Sequence, residues 1–231
     1  MIGAATFATR FSTVWQELAP TLALYVKTSN RALATRVPPP MKMVVDPRRQ
    51  GFLSELGFLY AAFAFDPLRY GFDETRVLTE AKTRISRHSL DVDVSSPVAE
   101  EKTYVTELSR RMASYVRQAA ESGRIVFEPE FQGCGFVDAS RGDVLAGSTL
   151  VEFKNVDRGF RGSDWRQCLT YLLLNYLGSK FDIRRVALVN PRSGQMLVLG
   201  TDELANEVSG RKMTELARDF EQLVSGAGVS R

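Results

Sequence analysis

The sequence predicts an α/β protein in which a central mixed sheet of about five strands is flanked by helices, behind a helical N-terminal half. Three observations predict it. Apolar residues recur at helical spacing up to Gly123. Beyond Gly123 the pattern changes to short β-branched and aromatic runs broken by Gly, Pro and Asn. One long helical stretch then separates the third of these runs from the fourth, as a crossover between strands requires.

Residues 5–35 carry Phe7, Phe11, Val14, Trp15 and Leu18, then Leu22, Leu24, Tyr25 and Val26. Pro20 interrupts that periodicity, so two helices or one kinked helix are expected. Pro38, Pro39 and Pro40 force an extended passage. Residues 51–65 hold Phe52, Leu53, Leu56, Phe58, Leu59, Tyr60, Phe63 and Phe65 and read as a buried helix stopping at Asp66-Pro67. Further helices are expected near 73–88 and 97–122, the second with Glu100 and Glu101 at the positive end of its dipole.

Strands are expected near 124–131, 135–146, 149–156, 184–190 and 196–200, with helices near 163–178 and 202–224. Residues 191–194 fit a hairpin loop between the last two strands, and residues 226–231 read as a frayed tail. The division expected is an N-terminal helical region, 1–96, followed by a sheet-bearing core, 97–231.

The 231 residues, 44% of them hydrophobic, can bury a sizeable core in one or two compact domains. Lys and Arg number 30 against 27 Asp and Glu, so affinity for nucleic acid must come from local basic clusters, which weighs against a pure binding protein. Cys134 and Cys168 form no CxxC pair and His88 is the single histidine, which argues against zinc and for a reducing compartment. The N-terminal residues lack a basic region followed by a long apolar core, and no apolar run reaches membrane-spanning length. A soluble cytoplasmic protein with no membrane partner is expected.

Chemistry concentrates in residues 142–154, GDVLAGSTLVEFK. A two-residue turn at Gly147-Ser148 sets Asp143 directly opposite Glu152, and Lys154, two residues on, joins the same face. Two carboxylates at that spacing repel unless a cation lies between them, and hard oxygen donors suit Mg²⁺, with Mn²⁺ as a substitute. A solvated strand face would hold the same residue types. The flanking Val144, Leu150, Val151 and Phe153 instead place the acids on a half-buried strand pair, where unpaired charge is costly. Asp138 competes with Asp143, but on a continuous strand it faces the other way, opposite Asp157, unless a bulge intervenes in residues 139–142.

This stretch resembles the core of the PD-(D/E)XK, or restriction-endonuclease-like, nuclease superfamily, with Asp143, Glu152 and Lys154 as its trio. Gln167 and Tyr171, one helical turn apart after the Lys, resemble the Q-x3-Y helix of RecB-type members. Gly142 stands where the family often has Pro. The resemblance covers roughly residues 124–201. It implies a metal held by Asp143, Glu152 and the carbonyl of Phe153, with Lys154 and Gln167 completing the catalytic group.

The same likeness implies an additional acid, for which Glu55 and Glu128 are candidates. Tyr171 has two readings, backbone contact to nucleic acid or core packing. The loop 157–164, with Arg158, Arg161, two Gly and Phe160, looks suited to a phosphate backbone, and Arg166 extends the basic trend. The expected function is metal-dependent hydrolysis of phosphodiester bonds in DNA, in defence against foreign DNA or in repair. The alternatives are a catalytically silent nucleic-acid-binding or scaffold subunit and an RNA nuclease on the same fold. DNA is the expected partner, with a homodimer or a larger complex also open.

Overall fold

The structure is a computed structural model and describes residues 1–32, 38–42, 45–67, 73–86 and 92–226. Its centre is a five-stranded mixed sheet built from β1 (Ile125–Phe127), β4 (Val144–Ala146), β5 (Thr149–Phe153), β6 (Arg185–Asn190) and β7 (Gln195–Gly200), in that spatial order. β1, β4 and β5 are antiparallel neighbours, β5 and β6 are parallel, and β7 returns antiparallel. The parallel step needs a crossover, which α7 (Gly162–Gly178) supplies. A separate two-stranded ribbon pairs β2 (Glu130–Phe131) with β3 (Ser140–Arg141).

Side-chain alternation along the strands divides the core between the two faces of the sheet. Leu150, Val186, Leu188 and Leu199 point to one face. There they meet α1 (Ala4–Arg10), α2 (Ser12–Leu18), α3 (Leu22–Ala32), α7, α8 (Thr201–Ser209) and α9 (Met213–Gly226). Val144, Ala146, Val151, Phe153, Ala187 and Val189 point to the other, which α4 (Pro47–Phe63), α5 (Glu74–Ser86) and α6 (Ala99–Ala120) cover. All five residues of β5 are buried, as befits a strand covered on both sides.

Local chemistry sets the helix limits. Asp46 caps α4, accepting from the Arg48 N–H at 2.9 Å, with Pro47 pre-set for the first turn. Asp164 accepts from the Arg161 N–H at 2.8 Å and fixes the start of α7. Among the described residues no helix is long and apolar enough to cross a membrane.

Several expected elements are shorter or divided. The N-terminal stretch forms three helices, with breaks at Phe11 and again before Leu22. The strand expected near 124–131 breaks after Phe127, because Glu128 adopts a left-handed φ of 53° and Pro129 has no N–H to donate. The run near 135–146 contains a tight turn in which Cys134 and Val137 exchange backbone hydrogen bonds of 2.9 and 3.0 Å, so only 140–141 and 144–146 are strand. The strand near 149–156 ends at Phe153. The helix near 202–224 is two helices, separated at Gly210 with φ 68°. The end of the helix expected near 73–88, including His88, and residues 227–231 of the expected tail lie outside the described residues.

Candidate active site

The hairpin forms as the sequence requires. Val144 pairs with Val151 and Ala146 with Thr149, leaving Gly147-Ser148 as a two-residue loop with positive φ, 59°, at Gly147. The next position of this ladder sets Asp143 against Glu152. Asp143 lies just outside β4, and its Oδ2 accepts from the Phe153 N–H at 2.7 Å, which holds the carboxylate across the end of β5.

From Glu152 a chain of contacts runs to α7. Lys154 Nζ donates to Glu152 Oε1 at 2.9 Å and to Gln167 Oε1 at 2.8 Å, and Gln167 Nε2 donates to the Tyr171 hydroxyl at 2.7 Å. The structure thus brings together Asp143, Glu152, Lys154, Gln167 and Tyr171. Glu152 is 2% exposed, and its Oε2 is buried without a hydrogen-bond partner. A buried carboxylate oxygen with no donor is costly, and acceptor-only oxygen chemistry calls for a cation.

Electrostatics point the same way. Burial first, and then the Glu152 charge, push the Asp143 carboxyl well above the usual carboxylate range, while Lys154 pulls it back. Burial weakens the Lys154 ammonium, but Glu152 and Asp143 outweigh it and its pKa is raised. Two acids sharing one cation form an electron-rich pair suited to a divalent ion. Among the described residues no three of His, Cys, Asp and Glu gather into a ready metal cage. The residues fit an ion resting on the Asp143 and Glu152 oxygens, and the Phe153 carbonyl belongs to the peptide edge that already meets Asp143.

Glu55 and Glu128 both line a cavity of about 260 Å³ with Asp143, Phe153 and Asn155. Arg84, from the last turn of α5, joins them: Nη1 lies 3.1 Å from Glu55 Oε1 and 2.7 Å from Glu128 Oε1, and Nε lies 2.7 Å from Glu80 Oε1. The Glu128 N–H donates to the Asp143 carbonyl at 2.8 Å, so its left-handed backbone is tied to the site. Behind the cavity, Asn155 Nδ2 donates to Ser54 Oγ at 2.7 Å and to the Tyr104 hydroxyl at 3.0 Å, and Gln50 Nε2 donates to the Asn155 carbonyl at 2.6 Å. Sequence reasoning missed Arg84 and this amide network. Glu80 and Arg84 stand four apart on one helix face, and that spacing shows a surface pair without revealing the two remote acids.

The basic residues expected to meet nucleic acid do not gather here. Arg158 forks onto Asp164 at 2.7 and 3.2 Å, bracing the start of α7. Arg161 is exposed and serves that same start through its backbone. Arg166 turns to α1, where Nη1 meets the Ala8 carbonyl at 3.5 Å. Tyr171 is 4% exposed, its ring stacks on Phe131 at 5.5 Å, and its hydroxyl reaches the site through Gln167. Asp138 spends its Oδ1 on the Ala139 N–H and takes no part. Besides Arg84, the cation that lines this cavity is Arg141, its side chain 65% exposed.

No protein-family model matches the chain, and no curated protein matches it in sequence.

Proposed function

We propose that this protein is a divalent-metal-dependent nuclease that hydrolyses phosphodiester bonds of DNA. One observation carries the reading: Asp143 and Glu152 converge on Lys154, and among the described residues Glu152 Oε2 is left buried without a partner. The resemblance to the PD-(D/E)XK core rests on these residues and on the α7 pair Gln167 and Tyr171.

Mg²⁺, or Mn²⁺ in its place, held by Asp143, Glu152 and the Phe153 carbonyl would supply Lewis acidity and a more acidic water. The protein's own groups do the remaining work. Lys154, fixed from both sides by Glu152 and Gln167, keeps its proton and presents a positive charge to the phosphoryl oxygens as negative charge builds on them. Gln167 sets the ammonium's direction and is set in turn by the Tyr171 hydroxyl, itself immobilised in the core. Asp143, oriented by the Phe153 N–H, faces the cavity through which a phosphate can approach.

The test is incubation of purified protein with plasmid DNA and with single-stranded RNA, in Mg²⁺, in Mn²⁺ and in chelator. DNA cleavage that requires the ion and is lost in Asp143→Ala and in Lys154→Ala is the expected result. Cleavage that persists in both variants sinks the assignment, and cleavage of RNA alone moves the substrate class.

A further inference from the structure

Arg84 is a cation placed among the acids of the site. Its guanidinium is bidentate on Glu128, at 2.7 and 3.3 Å, and reaches Glu55 and Glu80. Glu55 and Glu128 line the same cavity as Asp143.

A guanidinium and a divalent ion in one small cavity repel each other and attract the same oxygens. Of the two anchors, Glu128 cannot recede, because its backbone is bound to the Asp143 carbonyl. The other side of the contact is free to yield. Among the described residues α5 buries Val77 and Ala81 fully and Leu78 and Ile85 in part, so its last turn is held by Ile85 and by the ion pairs of Arg84. Beside the site lies a larger cleft of about 590 Å³, lined by Arg76, Arg84 and Arg141 and by Asp73, Glu80 and Glu128, with room for a displaced side chain.

We infer that Arg84 and the divalent ion compete for Glu55 and Glu128, so that ion binding at Asp143 displaces the guanidinium and unfastens the C-terminal turn of α5. This rests on the metal-site reading above. Arg84 already lines the larger cleft, so once released from Glu55 and Glu128 its guanidinium is free to meet a phosphate backbone approaching through that cleft. The contact thus restrains the site until an ion arrives and then turns a cation toward the anionic substrate.

The experiment is Mn²⁺ binding followed by electron paramagnetic resonance, in the full chain and in Arg84→Met, which keeps the apolar stem. Removing a competitor tightens ion binding by about tenfold, within the range usual for coupled sites. Equal or weaker binding in Arg84→Met overturns the inference, since a residue that merely positions the acids weakens binding when removed. Hydrogen exchange in the unaltered protein needs no variant: on Mn²⁺ addition, amides of residues 80–86 exchange faster, and slower or unchanged exchange with Mn²⁺ bound also overturns it. Asp143→Ala separates the two readings. Mn²⁺ binding that is indifferent to Asp143 removes the metal site and this inference together, whereas Asp143-dependent binding that ignores Arg84 removes the inference alone.

Discussion

Lys154 and Arg84 each neutralise acids at one end of the sheet, yet they are held in different ways. Lys154 follows directly on β5, a strand buried along its whole length, and its two partners come from β5 itself and from the buried helix α7. Arg84 comes from α5, and its partners lie on three separate segments. The two cations are thus anchored separately in this site: one is gripped between β5 and α7, and the other is shared among acids of three segments.

Four measurements break or sharpen that contrast. The largest effect is expected from Lys154→Met, which leaves Glu152 buried without its cation and lowers stability by about 3 kcal/mol in urea unfolding. Arg84→Met, at a side chain 23% exposed, costs about 1 kcal/mol or less. Equal losses in the two variants would erase the distinction between a fixed and a releasable cation.

Asp143→Asn is expected to abolish cleavage and yet to stabilise the protein measured in chelator, by about 1 kcal/mol at neutral pH. The sign follows from the raised carboxyl. Above its unfolded value of 3.8, the native state binds more protons than the unfolded chain, so stability falls as pH rises toward the raised native value. The advantage of Asn must therefore vanish below that unfolded value. A variant less stable than the parent at neutral pH contradicts the claim that Asp143 and Glu152 repel.

The smallest effect lies away from both cations. Arg110, followed by Arg111, outweighs burial and holds the Glu107 carboxyl down at about 2. Its contribution is complete above the ordinary value of 4.5 and is lost as pH falls toward about 2. With a third of its side chain exposed, screening keeps that contribution below about 1 kcal/mol. Glu107→Gln should flatten only this acid limb of the stability profile, leaving the neutral-pH differences among the site variants unchanged.

The strand pair that carries the site was legible because its signal is local: a Gly-polar dipeptide with apolar runs on both sides fixes the register, and the register fixes which side chains meet. Gln167 and Tyr171 were singled out by the family resemblance, and helical spacing put them on one face. The role of Arg84 was not, since its partners lie 29 and 44 positions away, and a residue pair brought together by tertiary packing leaves no periodic trace. The pairing within the loop was illegible for a related reason. Arg158 and Asp164 are read from the sequence as separate charges, and only the folded loop shows them paired. The strand breaks at Glu128 and at Gly135 likewise depend on left-handed backbone that pattern reading does not register.

The carbon a side chain would add at Gly123 falls 2.6 Å from the Gly147 Cα, so the end of α6 is pressed against the hairpin turn itself. A helix that begins at Ala99 therefore acts as the stop against which the turn is aligned. One methyl group at Gly123 would wedge the two apart and tilt the strands like a hinge, misaiming the carboxylates at the far end of the hairpin although no reacting group had been altered.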